Sequence, residues 1–192
     1  MATTSIGAPG VTFPDATVQA TSGVTTVNGK GPGVVQSVIT LGAAVATTSG
    51  TSNTISSIPS WVKRVTLMFN GVSTNGGSNK LIQFGTSGGI STTNYQSLGL
   101  QLNNGGVATT NSTAGFLILS NNALHTLYGS CIFTLQAANV WAAQYCFNDI
   151  SAQNLFPGSG QSILSGALTS IRLTTVNGTD AFDAGSISAS YE

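Results

Sequence analysis

An apolar side chain at every second position from Val65 to Phe69 restricts that segment to one kind of local structure. Side chains on a strand alternate between two faces, so Val65, Leu67 and Phe69 share one face while Arg64, Thr66 and Met68 share the other. The first face reads as core. Pro59 fixes its own φ and carries no N–H, so it can precede such a strand but cannot sit inside a central one. The strand is expected over Val62 to Phe69, with Asn70-Gly71 supplying the positive-φ residues of a tight hairpin turn.

Downstream of Gly71 the same pattern recurs. Candidate strands are Lys80 to Phe84, Ser97 to Leu102, Gly115 to Leu119, Thr126 to Leu135, Val140 to Phe147, Ile163 to Thr175 and Ser186 to Tyr191. They are punctuated by Asn75-Gly76-Gly77, Gly88-Gly89, Asn103-Asn104-Gly105-Gly106, Asn121-Asn122, Pro157-Gly158 and Asn177-Gly178. Ala142 and Ala143 favour helix, but Val140, Trp141, Tyr145, Cys146 and Phe147 outweigh them, so 139–149 is assigned to strand. Short strands at this spacing predict an all-β fold, an antiparallel, jelly-roll-like sandwich. The last strand places Ile187, Ala189 and Tyr191 on one face and requires neighbours.

Residues 1–50 read differently. Met1 to Gly10 is small and polar, Val11 to Gly23 holds three large apolar residues among polar ones, and Val24 to Val35 places two β-branched runs around a Gly-rich turn. Such a segment cannot close a core within one chain. A small-residue linker spans Gly42 to Asn53. The division is therefore an N-terminal attachment or trimerisation arm and linker, 1–50, and a sandwich, 51–192.

Charge narrows the function. Only 5% of residues are charged, five basic and five acidic, against about 25% in average soluble proteins. Displacing counterions from a nucleic-acid backbone takes several Lys or Arg, so nucleic acid is disfavoured as a partner, and basic membrane docking fails likewise. No apolar run is long enough to span a bilayer, and the opening residues carry no secretory signal pattern. A near-neutral surface promotes association, as in a subunit of an assembly.

Several motifs carry a resemblance. Phe13-Pro-Asp-Ala-Thr-Val-Gln19 resembles the Phe-x-Asp-Gly-Thr-x-Gln element of bacteriophage tail-fibre and head-fibre proteins, with Ala16 in place of Gly. Val24 to Val35 is similar to their Val-x-Ser-Val-Asn-Gly-x-x-Gly-x-Val element, with Thr26 for Ser and a Gly31-Pro32-Gly33 insertion in the spacing. Ile58 to Gly71 and Val176 to Ile187 look like parts of carboxy-terminal domains of phage structural proteins. The resemblance implies an intertwined homotrimeric stem, with Phe13, Val18, Val24, Val27, Val34 and Val35 as its oligomerisation or attachment residues. It also implies a virion location after assembly in the host cytoplasm, with other virion proteins as partners.

Little in the sequence points to catalysis. His125, the sole histidine, reads as a surface or satisfied residue, and Asp180 and Asp183 as an acidic turn before the last strand. Gly29-Lys30-Gly31 lacks the spacing of a phosphate loop. Two cysteines and one histidine make no zinc pattern, and no cofactor is expected. A hairpin with a two-residue loop at Ala138-Asn139 sets Cys131 opposite Cys146, whereas a three-residue loop pairs Phe133 with Tyr145. The aromatic match favours the latter, with both thiols free and buried. Trp61 reads as core. Loops bearing Asn75, Gly76, Gly88, Asn103 and Asn104 are the candidate recognition loops, their amides suited to the hydroxyls of a host surface glycan, or to a host protein. The favoured reading is a non-enzymatic tail fibre or receptor-binding protein for host attachment. A head fibre or capsid decoration protein is the alternative, and a polysaccharide depolymerase the third.

Overall fold

The computed structural model describes residues 39–192, together with the backbone of three short strands, β1 (Ile6–Gly7), β2 (Gly10–Thr12) and β3 (Val18–Gln19). These three pair antiparallel in sequence order. Val18 lies on β3; Phe13, Val24, Val27, Val34 and Val35 fall outside the described residues. The chain divides into two compact units, 1–39 and 40–192.

The second unit is an antiparallel β-sandwich, with no helix among the described residues. Its strands are β4 (Thr40–Leu41), β5 (Val45–Ala46), β6 (Ser52–Ile55), β7 (Arg64–Thr74), β8 (Lys80–Thr86), β9 (Gly89–Ile90), β10 (Tyr95–Asn103), β11 (Gly106–Ser112), β12 (Phe116–Ile118), β13 (Leu127–Ala137), β14 (Val140–Asp149), β15 (Asn154–Ile163), β16 (Ser170–Thr175) and β17 (Phe182–Tyr191). The larger sheet runs β11-β10-β15-β14-β13-β7-β17-β4, with β5 also on β17. The smaller runs β12-β8-β16-β6, with β9 on β8.

Between the sheets lies the face of β7 read from the sequence: Val65, Leu67 and Phe69 are buried, as are Ile187, Ala189 and Tyr191 of the neighbouring β17. Phe84 of the smaller sheet is the hub, its ring centroid 4.8 Å from Phe133, 5.3 Å from Phe116 and 5.9 Å from Trp141. Truncating such a ring to Ala typically costs about 3–5 kcal/mol.

Several local expectations are corrected. Asn70-Gly71 does not turn the chain: β7 continues to Thr74, and Gly71, at φ 68°, forms a bulge where the register slips against both β17 and β13. Neighbours bonded on both sides hold the strand straight through the positive-φ residue, which absorbs the extra position instead. Pro157-Gly158 is likewise no turn but the middle of β15, opposite Cys146 and Tyr145. The ladder from β15 to β10 is interrupted between Gly158 and Leu155, so the missing N–H of Pro157 falls in the gap. Ile163 to Thr175 is two segments, the end of β15 and all of β16. The β13–β14 hairpin does turn at Ala138-Asn139, but a bulge before Ala137 shifts the ladder, so Cys131 faces Tyr145 and Cys146 faces Ser130. Both thiols are free; Cys131 is buried and Cys146 exposed. Trp61 is 37% exposed instead of core.

The segment read as a linker lies along β17. Gly42 N donates to Ala189 O, Thr47 N to Gly185 O, and Phe182 N to Gly50 O. Thr47 is fully buried, with its hydroxyl on Ala184 O at 2.7 Å. Gly42 and Thr47 pack closely against β17, whereas Ala43, Ala44 and Ala46 are exposed.

This topology gives the sandwich two distinct ends. At the entry end Thr40 pairs with Tyr191, Lys63 and Arg64 donate to Glu192 O, and the Ala138-Asn139 turn lies alongside. At the far end lie the termini of β7, β14 and β16 and the starts of β8, β13, β15 and β17.

Candidate functional site

The far end is built around a chain of buried polar groups. Lys80 opens β8, paired with Thr175 on one side and Ile118 on the other, and is fully buried. Its ammonium donates to Ser120 O at 3.1 Å and Ser120 Oγ at 3.4 Å. Ser120 Oγ lies 3.1 Å from His125 Nδ1, and His125 Nε2 lies 2.8 Å from Asn154 Nδ2. An amide nitrogen only donates, so Nε2 is the acceptor and Nδ1 carries the proton. The imidazole packs on the Phe156 ring at 5.2 Å.

Burial sets the electrostatics here. Desolvation lowers Lys80 from 10.5 to about 8, opposed by Asp180 and Asp183. Desolvation also lowers His125, with Asp149 raising it and Lys80 lowering it. Both groups are thereby pushed towards neutrality, as expected for groups removed from water.

Two carboxylates fasten the surrounding loops. Asp149, 1% exposed, accepts Thr126 N at 3.2 Å through Oδ2 and Ser151 N at 2.9 Å through Oδ1. One side chain therefore ties the β12–β13 loop to the β14–β15 turn. Asp180 accepts Ser78 N at 2.8 Å and the Asn177 amide, joining the β7–β8 and β16–β17 loops. The Asn177 bond and then that from Ser78 hold its carboxyl below the usual range. Asp180 is thus a turn residue, as its sequence context implied, whereas Asp183 lies within β17.

The candidate recognition loops separate on this frame. Asn75, Gly76, Asn103 and Asn104 lie at the far end; Gly88, between β8 and β9, lies at the entry end, near the Gly85–Ser170 pairing. Polar groups at the far end serve the loops themselves. Asn75 exchanges bonds with Ala181, and Asn103 Oδ1 accepts Gly105 N. Asn104 Nδ2 donates to Gln153 Oε1 at 3.0 Å. A Cβ at Gly76 would meet the Asp180 carboxylate, which would have to move aside.

Among exposed polar neighbours such as Asn122, Ser151 and Asn177, these loops also carry large exposed apolar side chains: Leu124 is 81% exposed, Ile150 77% and Val176 56%. None was singled out from the sequence. Each sits one residue from a bonded polar group, namely His125, Asp149 and Asn177, and that juxtaposition is the signal the sequence held. The result is three exposed apolar side chains, on separate loops of one end, set among polar ones.

At the entry end a cavity of about 160 Å³ is walled by Ile58, Val62, Trp141 and Leu168, with Lys63 and Asn139 at its lining. Among the described residues no three His, Cys, Asp or Glu side chains are placed to hold a metal ion. No protein-family model, curated protein or solved structure matches the chain.

Proposed function

We propose that this protein is a structural component of a bacteriophage virion, and within it a tail-fibre or receptor-binding subunit that attaches the particle to its host. One observation carries the reading: Thr40, where the sandwich begins, lies at one end, and the braced loops that expose Leu124, Ile150 and Val176 lie at the other. In this reading the N-terminal segment attaches to the particle and those loops contact the host. The buried links among Lys80, Ser120, His125 and Asn154 order the loops before any partner arrives, which reduces the entropy lost on contact. The fibre-like motifs of residues 13–35 support a homotrimer, in which three weak sites held together gain avidity.

The test compares the full-length chain with a variant carrying Leu124→Ser, Ile150→Ser and Val176→Ser on a panel of bacterial cells and on phage capsids depleted of the protein. Receptor binding requires that the full-length chain label cells and the variant fail to, with both equally folded. Retention on capsids alone, unaffected by these substitutions, replaces this reading with capsid decoration.

A further inference from the structure

The strand β11 has no evident occupation in a single copy of the chain. Among the described residues it ends the larger sheet and pairs with β10 alone, from Ser97↔Ser112 to Asn103↔Gly106. Its seven residues, Gly-Val-Ala-Thr-Thr-Asn-Ser, are exposed from Gly106 to Asn111, on both faces, and only Ser112 is partly covered. Ordering a backbone costs about 1–2 kcal/mol per residue, normally offset by burying side chains. This strand buries almost none, and Val107 is 66% exposed.

An outermost strand also turns alternate N–H and C=O groups away from its neighbour. Natural edges are blunted by charge, proline, brevity or a covering element. Among the described residues none of these devices is seen. Neither β10 nor β11 holds a Lys, Arg, Asp, Glu or Pro, and the strand is as long as most in the sandwich.

We propose that β11 pairs antiparallel with β11 of a second copy of this chain, continuing the larger sheet across a two-fold axis. The occupant follows from charge. Formal net charge is zero and the edge is uncharged, so two copies meet without repulsion, whereas a charged peptide finds no complement there. An isologous contact also requires that the same strand face itself, which an uncharged Thr- and Ala-rich segment permits. On the outward face Val107 lies beside Leu102, while Leu98 and Leu100 lie beside Asn111 and Thr109, so the self-facing row is uncharged throughout. The contact relates copies by a two-fold and so adds to any three-fold stem. It does not rest on the host-attachment reading.

The test measures the solution mass of the full chain by sedimentation, beside Thr109→Lys and, separately, Val107→Lys. Both sites are exposed, so the fold is retained, which circular dichroism checks. Self-pairing predicts that the wild type is heavier than either variant at the same concentration, by twofold where the variant is a monomer and by at least that where it is a stem trimer. It also predicts slowed amide exchange in 106–112 as concentration rises. Equal masses for all three chains overturn the proposal, as does an association that the substitutions leave unchanged.

Discussion

Asn154 Nδ2 donates to His125 Nε2 across 2.8 Å, joining the start of β15 to the loop before β13. That bond exists only while Nε2 has a free lone pair. The folded-state pKa of His125 is depressed, mainly by desolvation, so below the ordinary value of 6.5 the unfolded chain binds a proton that the folded one resists. Stability contributed by this site is therefore present above that value and lost as pH falls below it. Amide exchange in 120–126 and 150–153 is expected to accelerate between pH 7 and 5, and His125→Gln to remove most of the change. Acid-insensitive exchange in these loops would falsify the assignment.

Lys80 gives a second pH dependence at the alkaline side. Its folded pKa, about 8, lies below its unfolded value of 10.5, so between these the unfolded chain holds the extra proton and stability rises with pH. At about 1.4 kcal/mol per pKa unit the full rise approaches about 3 kcal/mol. Cys131, raised far by burial, and Tyr145, raised to about 12, act oppositely, each losing stability as pH climbs past its unfolded value. Comparison with Lys80→Met cancels those contributions. The wild type should gain on the variant from about pH 8 upward; a difference flat from neutral to alkaline pH would sink the argument.

Gly185 sits at φ 88° with its missing Cβ directed at Gly71 O, which it would approach to 2.3 Å. Backbone cannot yield as a side-chain tip can, so Gly185→Ala should lose about 3 kcal/mol or more by chemical denaturation. Gly178, at φ 69°, has nothing within 4 Å of its Cβ position. Its change to Ala should cost only the left-handed backbone penalty, about 1–2 kcal/mol. Equal losses at the two sites would count against the bulge as described.

The two thiols should differ in reactivity. Cys146 is exposed on β14, while Cys131 is enclosed between the sheets and its pKa is raised well above 9.0. A maleimide reagent is expected to modify one cysteine per native chain, and two after denaturation. Cys146→Ser should abolish native labelling with little change in stability. Native labelling that persists in that variant would mean Cys131 is open to solvent.

Much of the sandwich was legible because alternation is a local property. Val65, Leu67 and Phe69, like Ile187, Ala189 and Tyr191, declare their face within one strand, and that face is buried. Composition spoke as directly: with so few charges, the surface had to be Ser, Thr, Asn and Gly. Strands without alternation, such as β11 and the Gly-rich β15, left no such mark.

What only the tertiary structure decided is how ambiguous residues are used. Asn70-Gly71 and Pro157-Gly158 are pairs that favour turns, but a turn forms only where the chain is free to reverse, and here neighbours already bonded on each side convert them to a bulge and a ladder gap. His125, Lys80 and Asp149 are scattered singly along the sequence, separated by whole strands, so their association at the far end has no local signature. Periodicity along the chain fixes which way a side chain points from its own strand. Which strand stands opposite it is set by pairing over long separations, and that is a decision of the folded sheets.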